Sequence, residues 1–473
     1  MNNRHYVVVI MLLAVALPQL YLWRWTVDDA FISFRYLANL ASGYGLVFNP
    51  GERVEGFSHP LWMILLSPAA FISRFALITW AKLLGLVCTL GTGICLLRML
   101  RRSVAAPAAI VAGLLLWHLS PGTHIYATCG LETPLLALLL TWALERSAVN
   151  APPWQPAMLV GLAAILRPEA PLYAIAWLLT CRQSKTAIRA PALVLLLIPA
   201  IAWEIFRIAY YDAWLPNTFF AKPPGTFGGK FGVQYMLPLL AACSLPLVVL
   251  AHPSDKPQVR LAGAWCIAAL VFVAYTQGDW MPFWRFLVPV WPAALLQLAV
   301  GIDVLHRKGI PVRRLVVACV VIGVLLQSTQ LPSLLRGDGL YDLMRGTHQM
   351  KGGQWLAEHI KPGESAATVR LGALAWQVPV NPVHDIAGLT DRTAARHLWQ
   401  NHGSIAWKTH PLAKDPPSWI AAVSLDGQIA YHGDADLTRD LADNYDLVGQ
   451  VAQGPGAEWH FFHRKTASAS RPP

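Results

Sequence analysis

The chain has 473 residues, of which 55% are hydrophobic and only 13% are charged, and its mean hydropathy is +0.44. Soluble domains carry about 25% charged residues, so this composition excludes an ordinary soluble protein and predicts a polytopic membrane protein. The net charge of +11 does not indicate nucleic acid as a partner. The basic residues form short clusters between apolar runs, which is the pattern of cytoplasmic loops.

These basic clusters determine the predicted topology. With Arg4, we place the clusters within residues 98–102, 182–189, 256–260 and 307–314 on the cytoplasmic side. A membrane span needs about 20 apolar residues, and fewer where a helix is broken inside the protein. The predicted spans are residues 6–23, 76–97, 105–120, 131–145, the two short halves of 156–181, 189–210, 234–251, 262–276, 286–304 and 315–331. The sequence thus predicts about eleven helices, a retained first span and an N-terminus inside.

Two apolar segments do not fit a single span. Residues 60–73 are short and contain Pro68, and counting them as a span would place residues 98–102 outside. We predict an interfacial helix there, within a first outer loop at residues 24–75. The run 156–181 is interrupted by Leu166-Arg-Pro-Glu-Ala170. Because a proline and two charges inside a span would be very costly, we predict two short helices that meet at a polar elbow on the outer face.

The composition changes after residue 332. Residues 333–473 are charged and contain no span, whereas residues 1–332 form the predicted transmembrane domain. Periodicity predicts helices at 347–360 and 391–398 and strands at 366–371, 384–389, 419–424 and 459–463. The sequence therefore predicts a small α/β domain on the outer face.

Two adjacent carboxylates, Asp28 and Asp29, follow the first span. The spacing Thr26-x-x-Asp29 is that of a capping box, which explains Asp29 without any catalytic function. It does not explain Asp28, because a second carboxylate adds like-charge repulsion. Such repulsion raises the pKa of one carboxyl and suits general-base catalysis. Capping and catalysis both stay open from these residues alone.

Other ionisable and polar residues fall on the same outer face under this topology. They are Arg35, Glu52, Arg53, Glu55, His59, Glu132, Arg167, Glu169, Asn217, Lys222, Asp279, Arg285 and Asp385. Each one alone fits a solvated loop charge, but Glu132, Arg167 and Glu169 lie at the ends of apolar spans, where ionisable groups are candidates for function. Acids and bases around an apolar groove suit a substrate with an anionic head and a lipid tail. Arginine is the best phosphate partner because its planar fork binds two oxygens.

Several of these residues lie in blocks that resemble the GT-C superfamily of membrane glycosyltransferases, which use polyprenyl-phosphate sugars. The group most similar is that of the terminal arabinofuranosyltransferases of the mycobacterial-type cell wall and the pilin arabinosyltransferases. The matching stretches are Asp28-Asp-Ala-Phe-Ile-Ser-Phe-Arg-Tyr-Leu-Ala-Asn39, Gly45-Leu-Val-Phe-Asn-Pro-Gly-Glu-Arg-Val-Glu-Gly56, Gly130-Leu-Glu-Thr-Pro134, Leu166-Arg-Pro-Glu169, Leu215-Pro-Asn-Thr-Phe-Phe-Ala-Lys222, Gly278-Asp-Trp-Met-Pro-Phe-Trp-Arg-Phe-Leu-Val-Pro289 and Asp385-Ile-Ala-Gly-Leu-Thr-Asp391. One departure is Ser58-His59, which stands where many relatives have Thr-Asn.

The resemblance implies a catalytic carboxylate in the first outer loop, which corresponds to Asp28 with Asp29 as its neighbour, and Asp28 would act as the general base that takes the proton of the acceptor hydroxyl. It implies a polyprenyl-phosphate sugar as donor, with arabinofuranose as the best candidate, and a hydroxyl of a glycan or a pilin-like protein as acceptor. Arg167, Lys222 and Arg285 are the candidates to balance the departing phosphate. Some relatives bind a divalent cation, for which Glu55 and Glu132 are candidates by position, although no ligand set is evident.

The resemblance also implies a bacterial cytoplasmic membrane protein in contact with membrane lipid, with its active site facing the periplasm. The competing function is a transporter or flippase for a lipid-linked sugar. A transporter would share the apolar groove and the charges at membrane depth, but it should show internal repeats or broken helices in both halves. Only one broken helix is evident in this sequence, and the polar residues concentrate on one face.

Overall fold

The structure is a computed structural model, and it describes residues 15–149, 151–183, 190–223, 235–241, 256–279, 281–328, 346–425, 428–429, 434–454 and 457–465. Residues 15–22 are helical and belong to the predicted first span, of which residues 6–14 lie outside the described residues. The helices that follow are α1 (Asp28–Ala41), α2 (Pro60–Ala70), α3 (Arg74–Ser103), α4 (Pro107–His118), α5 (Pro121–Ala127), α6 (Thr133–Ala148), α7 (Trp154–Ala163), α8 (Ala170–Gln183), α9 (Ala190–Tyr211), α10 (Asn217–Ala221), α11 (Pro257–Thr276), α12 (Trp291–Arg307) and α13 (Val312–Ser328).

The chain is a polytopic helical membrane protein. Within the described ranges, four helical segments are long and apolar enough to cross a membrane: α3, α9, α11 and residues 288–307, which include α12. The pair α4 and α5, bent by 52° at their junction, makes a fifth if it is counted as one span. The predicted span 234–251 is described only at residues 235–241, which are helical. The count of eleven spans therefore stays a prediction.

Local sequence signals explain where the helices begin and end. The Ser73 hydroxyl accepts a hydrogen bond from the Ala76 amide over 3.0 Å and caps α3. Arg101 and Arg102 lie in the last turn of α3, where positive charge is favourable. The short helix α2 is separate from α3, as predicted for residues 60–73. The run 156–181 is likewise divided into α7 and α8, with residues 164–169 between them.

The predicted capping box at Thr26 and Asp29 is wrong. Helix α1 begins at Asp28, its N-cap is Val27, and no side chain caps it. Asp28 and Asp29 both lie in the first turn of α1, so their carboxylates point in different directions around the helix axis. The explanation of Asp29 as a cap is thereby removed.

Among its described residues, the C-terminal region contains a six-stranded sheet packed with helices. The elements are α14 (Gly346–His359), β1 (Ala366–Thr368), α15 (Gly372–Gln377), β2 (Val383–Asp385), α16 (Arg392–Gln400), α17 (Pro411–Lys414), β3 (Trp419–Leu425), β4 (Gln428–Ile429), α18 (Ala435–Asn444), β5 (Tyr445–Gly454) and β6 (Ala457–Arg464). The strand order is β2-β1-β3-β6-β5, with β4 paired to β3. β1 is parallel to β2 and β3, whereas β6 is antiparallel to β3 and β5.

The sequence predicted α14, α16 and four of these strands, but not α15, α18 or β5. The predicted boundary between residues 332 and 333 lies outside the described residues and stays a prediction. One apolar core runs from the membrane helices through Phe31 and Phe34 of α1 to Leu374 and Ala375 of α15. The C-terminal region therefore packs directly on α1.

Cysteine labelling tests the predicted topology. Arg101 at the end of α3 and Ala435 at the start of α18 are both exposed. In spheroplasts, we expect Ala435→Cys to react with a membrane-impermeant maleimide and Arg101→Cys to react only after permeabilisation, because the predicted topology places the two sites on opposite sides of the membrane. The unmodified chain gives the background from its native cysteines. Labelling of Arg101→Cys in intact spheroplasts would contradict the placement of residues 60–73 outside the membrane core.

Candidate active site

Helix α1 presents two functional faces. Consecutive residues of an α-helix are rotated by about 100°, so Asp28, Phe31 and Arg35 share one face while Asp29, Ile32 and Ser33 share another. The second group lines a large cavity, and the first group contacts α15. The two adjacent carboxylates therefore have different surroundings.

Asp28 is buried away from the cavity. Its carboxylate accepts hydrogen bonds from the backbone amides of Gly372 (3.3 Å) and Ala373 (2.6 Å) at the start of α15. Burial raises the pKa of Asp28 to about 7, against the lowering effect of the Ala373 amide. Because each of its oxygens accepts a backbone amide and the residue is buried, Asp28 is a poor candidate for contact with substrate. The assignment of general base to Asp28 is therefore revised.

Arg35 is also turned away from the cavity, and its side chain is only 2% exposed. Its guanidinium donates to the backbone carbonyls of Phe48, Ala375, Val378 and Asn381. These bonds hold α15 and its following loop rather than a substrate. The expectation that Arg35 belongs to the residues around the substrate does not fit this placement.

The cavity has a volume of about 540 Å³ and combines apolar walls with charged groups. Its apolar walls come from Ile32, Phe57, Leu131, Ala200, Trp203, Phe219, Phe272, Tyr275, Phe286, Leu389 and Trp399. Its charged and polar lining includes Asp29, Ser33, His59, Glu132, Arg167, Glu169, Glu204, Arg207, Lys222, Asp279 and Arg285. Phe219 and Trp399 stack with ring centroids 5.1 Å apart, so the C-terminal region contributes to the wall. A cavity that combines apolar walls with a cluster of charged side chains suits an amphipathic substrate.

Asp29 faces this cavity, and its side chain is 28% exposed. Arg285 Nη1 lies 4.0 Å from Asp29 Oδ2, and Arg285 Nε donates to Asp279 over 2.6 Å. Burial raises the pKa of the Asp29 carboxyl above its ordinary value, and the positive charges of Lys222 and Arg285 partly counter this effect. Asp29 is thus an accessible carboxylate held near cations, which suits a general base.

The loop that carries Asp279 and Arg285 has a strained backbone. Gln277, Phe283 and Trp284 adopt positive φ angles of 59°, 59° and 54°. Bulky residues rarely occupy this region, at a cost of about 1–3 kcal/mol each. Phe283 and Trp284 are 2% and 8% exposed, so their packing offsets the strain. The fold thereby fixes the two charged side chains in the cavity wall.

The elbow between α7 and α8 brings Arg167 to two carboxylates. Arg167 donates to Glu132 over 2.7 Å and also to Glu169. His59 lies 3.8 Å from Glu132, and its other ring nitrogen is 2.7 Å from the Ser33 hydroxyl. Burial lowers the pKa of His59, so the ring favours its neutral form. The structure thus brings four of the predicted residues, His59, Glu132, Arg167 and Glu169, into one cluster of polar contacts, which Ser33 joins although it was not predicted.

Lys222 and Asn217 come from the same motif but have different surroundings. Lys222 is exposed to the cavity, and within the described part of the chain it forms no direct ion pair, although its charge acts on the nearby Asp29 carboxylate. Asn217 lies outside the lining and donates to the carbonyls of Gly388, Leu389 and Asp391. Lys222 is therefore available to an anionic ligand, while Asn217 holds a loop of the C-terminal region.

Glu55 lies beside three cavity-lining residues that the sequence analysis did not predict. Its carboxylate accepts hydrogen bonds from Arg207 Nε (2.5 Å) and Trp203 Nε1 (2.9 Å) on α9, and Arg207 also pairs with Glu204. Trp203, Glu204 and Arg207 all line the cavity. Charged residues inside an apolar predicted span were the available signal, because such residues are costly at membrane depth.

The remaining outer-face residues have structural roles. Glu52 accepts from Asn49, and the Arg53 guanidinium stacks on Tyr210 at 4.7 Å. Asp385 is fully buried and accepts the amides of Ala387 and Thr390. Burial raises the pKa of Asp385 to about 7. These three residues do not line the cavity.

The proposed cation ligands do not form a set. Glu55 is committed to Arg207 and Glu132 to Arg167. No group of three or more His, Cys, Asp or Glu residues suited to a metal ion occurs among the described residues. Because arginines neutralise Glu55 and Glu132, these two carboxylates do not fit a cation site.

Comparison with known proteins shows one matching domain family and two curated sequence relatives. Residues 341–468 match a family described as a domain of unknown function, DUF8728. A terminal beta-(1->2)-arabinofuranosyltransferase of Mycobacterium tuberculosis is 32% identical over 224 residues, which are 42% of this chain and 35% of that protein. One of the same name from Corynebacterium glutamicum is 28% identical over 343 residues, which are 60% and 49% of the two chains. The chain thus spans half or less of the length of these curated relatives.

Two solved structures share the fold. ArnT from Cupriavidus metallidurans in the apo state superposes with a TM-score of 0.60 at 16% identity, over 98% of both chains. The oligosaccharyltransferase of Archaeoglobus fulgidus in the apo form superposes with a TM-score of 0.52 at 11% identity, over 99% of this chain and 75% of that one. By this architecture and these sequence relatives, the chain has the membrane fold of the GT-C superfamily of glycosyltransferases and is related in sequence to its terminal arabinofuranosyltransferases.

Proposed function

We propose that this protein is a glycosyltransferase that moves a sugar from a polyprenyl-phosphate donor to a hydroxyl of a glycan or protein acceptor. The sugar that fits the relatives is arabinofuranose. The observation that carries the proposal is the cavity, where the Asp29 carboxylate faces a group of cations beside apolar walls. We place the reaction on the outer face of the bacterial cytoplasmic membrane, where a lipid-linked donor replaces a nucleotide sugar.

The reaction follows from these groups. The acceptor oxygen attacks the anomeric carbon of the donor while Asp29 takes the hydroxyl proton. The bond between the anomeric carbon and the phosphate oxygen breaks, and its electron pair leaves with the polyprenyl phosphate. Charge that develops on this phosphate needs a cation at the point of departure. The apolar walls beside Phe272 and Phe286 hold the isoprenoid chain.

Lys222 is our candidate for the principal phosphate contact. Arg167 and Arg285 are already in direct ion pairs with carboxylates, whereas Lys222 forms no direct ion pair among the described residues. We expect Lys222→Gln to raise the KM for donor by about 10- to 100-fold, because a hydrogen bond to a charged group contributes about 1.5–3 kcal/mol. Steady-state kinetics over a range of donor concentrations checks this. Lys361→Gln, on the exposed surface, is the matched control, and an unchanged KM in Lys222→Gln would contradict the assignment.

The activity itself is tested with purified protein. A synthetic polyprenyl-phosphate arabinofuranose and an acceptor oligosaccharide or peptide are incubated with the protein in detergent, and the product is identified by mass. We expect an acceptor heavier by one pentose. In proteoliposomes, movement of the lipid-linked sugar across the bilayer without any glycosidic product would favour a flippase instead.

A further inference from the structure

Helix α15 of the C-terminal region is held at both ends by α1. At its start, the Asp28 carboxylate accepts the amides of Gly372 and Ala373. The side-chain amide of Gln349, with its nitrogen facing Asp28, donates to Oδ1 over 2.7 Å. At its end, Arg35 donates to the carbonyls of Ala375 and Val378. We call this arrangement, Asp28 and Arg35 around Gly372–Gln377, the α15 clamp.

The contacts between the two ends of the clamp are aromatic. Trp376 of α15 packs against Phe31 and Phe34 of α1, with ring centroids 6.0 and 6.1 Å apart. Arg74, at the start of α3, stacks on the Trp376 ring at 3.7 Å and donates to its carbonyl. All these groups except Arg74 are buried. The clamp therefore joins α1 to the C-terminal region along about two turns of helix.

Apart from the α15 clamp, the start of α1 is held by the packing of its buried side chains and by one backbone hydrogen bond. Its N-cap residue, Val27, supplies no side-chain cap, and the Val27 amide donates to the Cys129 carbonyl over 3.0 Å. Any rotation of α1 about its axis moves Asp28 and Asp29 together, because they are neighbours in one turn. A displacement of about 1 Å at a reacting group costs on the order of 100-fold in rate. The orientation of α1 about its axis must therefore be fixed for Asp29 to stay in a reactive position.

We propose that the C-terminal region is a positioning element of the active site, and that Asp28 is a positioning residue which aims Asp29 into the cavity by holding α15. This assigns a role to the region that matches a domain of unknown function. The inference rests on the proposed function, in which Asp29 is the base. The two adjacent aspartates then have separate roles, since Asp28 binds the backbone of α15 and Asp29 meets the acceptor.

The clamp can be opened from either side. Gly372→Ala opens it from the C-terminal side, because a Cβ at Gly372 would overlap the Asp28 backbone carbonyl. Asp28→Asn opens it from the α1 side, because the amide nitrogen cannot accept from a backbone N–H. Glu358→Ala, on the exposed face of α14, is the control in the same region. Hydrogen exchange of the peptide that covers residues 371–378 measures the clamp without turnover, and kinetics measures its consequence.

We expect both clamp variants to exchange faster at Gly372 and Ala373, and to lose about 10- to 100-fold in kcat while the KM for donor changes by less than about twofold. In Asp28→Asn, the rate should still fall at low pH as it does in the unmodified protein, because Asp29 is still the group that accepts the proton of the acceptor hydroxyl. Loss of this fall at low pH would make Asp28 the base and overturn the inference. Faster exchange with an unchanged kcat would also overturn it.

Failure of the proposed function gives a different result. If the unmodified protein forms no glycosidic product, the assignment of Asp29 fails, whereas the exchange rates at α15 still report whether the clamp exists. If Gly372→Ala does not fold, Asp28→Asn alone decides the inference through its kcat, its KM and its pH profile.

Discussion

Asp29→Asn should reduce kcat by about 100- to 10,000-fold, the usual range when a general base is lost. The amide keeps the shape of the carboxylate but cannot accept the acceptor proton, so donor binding should stay nearly unchanged. Mass detection of the product and donor titration measure the two quantities. Asp443→Asn, an exposed residue of α18, is the control. Full activity in Asp29→Asn would exclude it as the base.

The same residue predicts the pH dependence. Only the ionised Asp29 accepts a proton, so activity falls as the pH falls through its pKa. Burial raises this pKa above the ordinary value of a free aspartate, which is about 3.9. The acid limb of kcat/KM should therefore lie at a higher pH than that ordinary value. If kcat/KM falls only at or below the pKa of a free aspartate, the raised pKa of Asp29 would be contradicted.

Arg167→Met should strongly destabilise the fold. Arg167 is 5% exposed and pairs with Glu132 and Glu169, which are 4% and 1% exposed. Removing one partner of a buried ion pair costs about 3–5 kcal/mol, because the remaining charge is left uncompensated. Chemical denaturation in detergent micelles, followed by circular dichroism, measures the change in the free energy of unfolding.

A surface pair provides the matched control for Arg167. Arg439 pairs with Asp436 at 3.4 Å, and these side chains are 72% and 47% exposed. Arg439→Met should change stability by less than about 1 kcal/mol, because solvent screens such pairs. The variant Arg167→Met/Glu169→Gln should be more stable than Arg167→Met, since one unpaired charge has been removed. Equal losses in Arg167→Met and Arg439→Met would show that the elbow is not an isolated buried network.

The sequence alone predicted several of the helices and many of the charged residues that line the cavity. The apolar runs predicted α3, α9 and α11, because only a helix satisfies its backbone polar groups in lipid. Pro168 with its two charged neighbours predicted the break between α7 and α8. The polar residues of the outer face led to Asp29, His59, Glu132, Arg167, Lys222 and Arg285, all of which line the cavity. These inferences needed only local composition and the register of the basic clusters.

The tertiary structure decided the role of each side chain. Because Asp28 and Asp29 are adjacent in a helix, the sequence predicts that their carboxylates point in different directions. It does not predict which of the two carboxylates faces the cavity. Asp28 meets α15 through amides 344 and 345 residues later in the chain, and Arg35 meets Ala375 340 residues later. Trp203 and Arg207 joined the site in the same way, through a bond to Glu55 about 150 residues earlier in the sequence. Short-range patterns carry no record of such pairings, because a side chain's environment is set by whichever distant segment packs against it.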